Sequence, residues 1–128
     1  MFINLSQHPL TILGVATPTR LFSFNGREYP CLDGDPIVLE TLPPWEGELP
    51  TVQTIPGETL EVDGITIAFS GGEEVINLPP PKEGVIYISS SRVAKATPRR
   101  DVVAPGQLVF VAPHEGRGEI AGCLGLQK

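Results

Sequence analysis

Short apolar runs, many alternating with polar residues, are broken roughly every 8–12 positions by glycine, proline or asparagine-glycine pairs. Residues 2–5 and 10–13 are two such runs on either side of Ser6-Gln7-His8-Pro9. Pro9 has no N–H to give a ladder, so it belongs at a turn or an edge. Asn25-Gly26 joins residues 21–24 to 27–29, and both residues tolerate the positive φ of a tight hairpin turn. Asp33-Gly34-Asp35-Pro36 marks a turn before Ile37-Val38-Leu39. Leu60, Val62, Ile65, Ile67 and Phe69 alternate with Glu61, Thr66 and Ala68 around Asp63-Gly64. That pattern predicts a second hairpin with one wet face. A further run at 73–78 follows Gly71-Gly72.

The second half of the chain continues in the same way. Pro79-Pro80-Pro81 reads as a stiff connector rather than a ligand for a proline-binding domain. Residues 85–88 are β-branched and aromatic, as a central strand requires. Residues 92–97 have helical composition, and Pro98 limits a helix there to about two turns. Strand character resumes at Val102-Val103 and at 107–111, with a break expected at Ala104-Pro105-Gly106. The glycine-punctuated tail, 118–126, predicts a last strand. The 42–50 segment, LPPWEGELP, is irregular, and its Trp45 is expected to plug one end of the core. The expected fold is a small β-barrel or sandwich of short antiparallel strands with one short helix, one domain over residues 1–128.

Composition fits that reading. Gly 14 and Pro 14 in 128 residues are heavy punctuation, which suits many short strands better than long helices. A net charge of −6 disfavours duplex nucleic acid as a partner, because phosphate neutralisation needs a basic surface. The apolar runs fall short of the ~20 residues that span a bilayer, so no membrane partner is expected. The first residues lack the basic start of a secretory signal, and a cytoplasmic protein is expected. Cys31 and Cys123 are far apart, and a disulfide between them is left open. They lack metal-ligand spacing, and no cofactor is implied.

One constellation carries candidate chemistry. Ser89-Ser90-Ser91 ends an apolar run and is followed by Arg92, Lys95, Arg99, Arg100 and Asp101. Four of the 9 basic residues thus fall within nine positions of an acidic chain. With Ser90 or Ser91 as a helix cap, Arg92, Lys95 and Arg99 share one helical face. Serine hydroxyls and guanidinium groups suit a phosphate or carboxylate, and Asp101 can accept from a sugar or base. The competing reading gives the serines a capping role, leaves the cations solvated and pairs Asp101 with Arg99 or Arg100. His8 or His114 is a candidate base, but a catalytic set of Ser89, His114 and Asp101 lacks any elbow motif. The carboxylates Asp33, Asp35, Glu46, Glu48, Glu73 and Glu74 fit turns and surface better than a cation site.

Three stretches resemble a group of small phage, prophage and bacterial proteins without assigned activity. Residues 4–12, NLSQHPLTI, are similar to an NLTPHPVTI-type start. Residues 85–105 resemble a YIVS…RDDVVAP block, and 118–126 a GRIVGCRGL-type end. Ser6-Gln7 stands for Thr-Pro, and Arg99-Arg100-Asp101 for Arg-Asp-Asp, while residues 16–81 match nothing. The resemblance implies a phage-linked origin. The leading expectation is therefore a non-enzymatic accessory protein binding an anionic, nucleotide-like small molecule, such as a host-defence signal. The alternative is a virion component or an inhibitor of a host protein, with homo-oligomerisation left open. A small hydrolase ranks third.

Overall fold

The computed structural model describes residues 1–111 and 119–128. The chain is mainly β, with one short helix among the described residues. Strands β1 (Phe2–Asn4), β2 (Leu10–Leu13), β3 (Thr19–Phe24), β4 (Arg27–Leu32) and β5 (Val38–Leu42) come first. A long ribbon follows, β6 (Thr51–Val62) and β7 (Ile65–Ile76). Then come β8 (Ile86–Ile88), helix α1 (Ser91–Ala96), β9 (Val102–Phe110) and β10 (Ile120–Gln127). The main sheet runs β1-β8-β9-β10-β2-β5, and the β3–β4 hairpin joins it where β4 pairs with β9. It is nearly closed into a barrel.

Both predicted hairpin turns form. Asn25 and Gly26 have φ of 50° and 75°, and Asp63 and Gly64 have φ of 52° and 77°. These left-handed pairs match the twist of the strands that they join. The antiparallel expectation holds for the hairpins, for β9–β10 and for β2–β5. It does not hold around β8, which pairs in parallel with both β1 and β9. Pairing of β2 with β10 and of β4 with β9 is also parallel. Parallel strands need a crossover rather than a tight turn, and α1 supplies one between β8 and β9.

A parallel core strand is covered on both faces, and β8 shows how. Tyr87 joins Leu5, Val93, Ala94, Val102 and Ala104 in one buried cluster. Ile88, its neighbour, points the other way into a cluster with Ile12, Leu42 and Cys123. Val102 and Val103 on β9 divide in the same manner. The first cluster is roofed by α1 and by Val52 and Val75 at the base of the ribbon. Trp45 packs against that cluster too and is half-buried, as expected of a plug at one end of the core.

Two expected breaks are absent. β9 runs without interruption through Pro105 and Gly106. A Cβ on Gly106 would lie 2.9 Å from the carbonyl oxygen of Gly125, so the glycine permits the close approach of β10 instead of ending the strand. β7 likewise continues through Gly71 and Gly72, which take up an extra residue on β7 opposite Thr54–Pro56, while a second bulge lies on β6 between Pro56 and Thr59.

The barrel closes at a seam between its end strands, β1 and β5, and one buried side chain bridges it. Asn4 Nδ2 donates to the carbonyls of His8 (2.8 Å) and Pro43 (3.2 Å). Its Oδ1 accepts from the backbone N–H of Ser6 (3.1 Å) and from Ser6 Oγ (2.7 Å). The amide's full bonding capacity is met. The Trp45 N–H donates to the Ser6 carbonyl at 2.8 Å, a second stitch across the same gap. Asn4→Ala should cost about 1–3 kcal/mol, because it removes the acceptor of the Ser6 N–H and the donor to the Pro43 carbonyl, while Ser6 Oγ still reaches the His8 carbonyl at 3.0 Å. Urea unfolding followed through Trp45 fluorescence reads this as a lower midpoint at unchanged slope.

Candidate functional site

The serine turn folds as its sequence dictates. β8 ends at Ile88, and the Ser89 N–H donates to the Val103 carbonyl at 2.8 Å. Ser90 is extended (φ −65°, ψ 158°), and its Oγ accepts from the Val93 N–H at 3.2 Å, an N-cap bond. Helix α1 buries Val93 and Ala94 and turns Ser91, Arg92 and Lys95 to solvent. It stops at Ala96, with Thr97 as C-cap. Arg99 therefore lies outside the helix, and the expected basic face of Arg92, Lys95 and Arg99 does not form as one helical stripe.

Arg99 turns inward instead. Its Nε and Nη2 donate to the two carboxylate oxygens of Asp101 at 3.0 and 2.7 Å, a bidentate pair. Nη1 donates to the Pro79 carbonyl at 2.8 Å, and the guanidinium lies over the Tyr87 ring, 5.8 Å from its centroid. The Tyr87 hydroxyl donates to the Pro80 carbonyl at 3.0 Å. The proline connector is thereby bolted to the core through Arg99 and Tyr87. The Asp101 bonds raise the Arg99 pKa, and the bonds from Arg99 hold the Asp101 carboxyl below its ordinary value.

The other cations divide. Arg92 pairs with Glu73 on β7 at 3.2 Å, on the surface. Lys95 and Arg100 are exposed and make no ion pair among the described residues. Lys128, which the sequence reading passed over, caps this region from β10. Its Nζ lies 2.6–3.0 Å from the carbonyls of Ala94, Thr97, Arg99 and Val102, four acceptors shared among its three N–H donors. These include the open end of α1, where a cation is favoured.

Three clefts among the described residues lie on the body. One, of about 270 Å³, is lined by Ser6, His8, Leu49, Pro50, Ser89 and Ser90. It brings the first resembling stretch of sequence against the serine turn. A second, of about 420 Å³, lies across the seam between Phe2, Asn4, Pro43, Trp45 and Gly47. A third, of about 250 Å³, lies between β2 and β10 against Leu10, Leu108 and Gly122. Arg92, Lys95, Arg99, Arg100 and Asp101 line none of the three. Ser89 and His8 share a cleft, yet no hydrogen bond joins them, and Asp101 is committed to Arg99. His114 lies outside the described residues. Cys31 and Cys123 are buried free thiols, and burial pushes the Cys123 thiol up. No cluster of His, Cys, Asp and Glu among the described residues could hold a metal ion. No helix among them is long and apolar enough to cross a membrane.

The largest exposed feature is the β6–β7 ribbon, with strands of 12 residues each. At its base Val52 faces Val75, and both pack on the core. Beyond the bulges, Leu60 faces Ile67 and Val62 faces Ile65. Phe69 lies on that same face by alternation. Thr59, Ala68, Glu61 and Thr66 take the other face. The alternation that predicted a wet face and a covered face is present, but the apolar face is not covered: its five residues are each between 42% and 64% exposed.

The Asp101 shift sets a pH dependence. A carboxyl depressed in the folded state stabilises it above the unfolded pKa, near ~4, and loses this as pH falls through the folded value. Asp101→Asn should therefore be less stable than the parent at neutral pH. The gap should stay constant down to about pH 5 and close below about pH 4, as read by thermal unfolding across that range. Compared with known proteins, the chain matches no family model, no curated protein and no solved structure.

Proposed function

We propose that this chain is a non-enzymatic protein-interaction module, in which a barrel-like body holds out an amphipathic β-ribbon as the binding arm. The observation that carries the reading is the uncovered apolar face of Leu60, Val62, Ile65, Ile67 and Phe69. Isolated two-stranded hairpins are marginal in water, and contiguous exposed apolar surface of this kind marks interaction sites. The base of the arm is anchored by Val52 and Val75, so the tip is presented from a fixed mount. The resemblance of residues 4–12, 85–105 and 118–126 supports a phage-type accessory role in the host cytoplasm. There the arm fits a virion component or an inhibitor of a host protein.

A photoreactive benzoylphenylalanine at Ile65 tests the reading in cells that make the protein. Illumination should give discrete protein adducts from Ile65 and none from the same probe at Glu83 on the body. Absence of adducts from Ile65 would overturn the reading.

A second reading, sequestration of an anionic or nucleotide-like small molecule, is supported by the cleft that joins Ser6 and His8 to Ser89 and Ser90. Lys95 on α1 and Arg100 in the turn before β9 are exposed and free of carboxylate partners among the described residues, and they supply uncommitted positive charge on the same crossover, outside the cleft lining. Calorimetry with cyclic nucleotides and ADP-ribose derivatives should then give heat that Arg100→Ala reduces about tenfold in affinity, the usual size of one charge-assisted contact. A flat titration with every ligand would remove it.

A further inference from the structure

We infer that the apolar face of the β6–β7 arm is covered by the same face of a second copy of this chain. The inference rests on reading the arm as an interaction surface, and it names the occupant.

Register makes the face suitable for self-pairing. The Val62/Ile65 and Leu60/Ile67 rows are apolar on both strands. A two-fold axis through their centre would set apolar rows on apolar rows. Glu61 projects from the opposite face and Asp63 lies in the turn, so neither carboxylate is buried in that arrangement. Shape agrees. A twisted pleated ribbon is matched by another of the same twist, stacked about 10 Å away as in a β-sandwich. Two arms would form a four-stranded sandwich and give each ribbon the cover that a lone hairpin lacks.

Charge narrows the choice of occupant. Between Thr51 and Ile76 the chain has five carboxylates, Glu58, Glu61, Asp63, Glu73 and Glu74, and no Lys or Arg. Anionic membrane surfaces and nucleic acids are repelled by such an arm. A second copy carries the same carboxylates, so pairing depends on the apolar rows, with Glu61 on the outer face and Glu58 beside Phe69 at the bulged end of the apolar face, away from the turn.

Area sets the strength. The five side chains expose on the order of 450 Å² per copy, so pairing removes roughly 900 Å² in total. That is near the lower bound of about 1,000 Å² for a specific interface. The dimer is accordingly reversible, with a dissociation constant in roughly the micromolar range, and its population follows protein concentration.

Sedimentation equilibrium of the purified full chain from about 5 to about 500 µM should show a mass rising from 13.7 kDa towards twice that value. Ile67→Glu should hold it near the monomer mass, with an unchanged circular dichroism spectrum, while Glu61→Gln on the opposite face should dimerise like the parent. A constant monomer mass over the whole range would overturn the inference without recourse to any variant. So would Ile67→Glu dimerising as well as the parent. A monomer whose Ile65 probe still gives adducts with other proteins would sink the second-copy assignment alone and leave the interaction reading standing. A concentration-dependent dimer accompanied by Ile65 adducts of twice the chain mass would support both.

Discussion

The fold depends on an amide that closes an incomplete barrel. β1 and β5 stand at opposite ends of the main sheet, and a sheet that stops short of closing leaves open edges. Asn4 bridges that gap with bonds to the loop after β5 and to the turn after β1. Two of the clefts on the body lie beside this bridge, one on Asn4 itself and one on its neighbours Leu5 and Ser6. The seam therefore fixes the shape of the surface there as well as the closure of the sheet. A hydrophobic residue could fill Asn4's volume but not its four bonds, and the seam would lose the side-chain link between β1 and the loop after β5.

The second constraint is β8, whose two neighbours run parallel to it. Its alternate side chains feed both core clusters, so it is buried on both faces and needs cover on both. The barrel interior covers one face. On the other, α1 and the base of the ribbon do so, and the chain segments that connect them are tied down by Arg99, Tyr87 and Lys128. Arg99 and Lys128 donate to carbonyls of the crossover and of the segment before it, where backbone acceptors would otherwise be unsatisfied. Of the four clustered cations, Arg99 is the internal fastening, Arg92 pairs with Glu73 at the surface, and Lys95 and Arg100 face solvent.

Much of this was legible in the sequence, and the pattern of success has a physical reason. The Asn25-Gly26 and Asp63-Gly64 turns, the Ser90 cap and the short α1 are local features, set by residues within a few positions of each other. Pairing partners are not local. Nothing in residues 2–4 indicates that β1 lies against β8 rather than β2, and a glycine in a strand reads the same whether it ends the strand or admits a neighbour. Gly106 is such a case, mistaken for a break because Gly125 is distant in sequence. Arg99 was misplaced on a helical face because Thr97 and Pro98 end α1 before it. Lys128 and Asn4 carried no local signal beyond polarity. Only the resemblance of residues 4–12 to a known start drew attention to Asn4's neighbourhood.

The arm is where local and global demands part. Elsewhere an alternating strand finds its cover within the chain: Val52 and Val75, on the same two strands, are packed against the core. Past the bulges between Thr54 and Thr59 the identical alternation continues, yet its apolar side chains are exposed and join neither core cluster. A ribbon that needed only to reach solvent could have polar residues on both faces. One that keeps five apolar residues on a single face, at a cost in solubility, retains them for a contact that the folded chain does not itself supply. The acidic opposite face is consistent with that division, because it stays hydrated and opposes indiscriminate stacking of one arm on the next. Function in this protein is thus read from where the core pattern outruns the core.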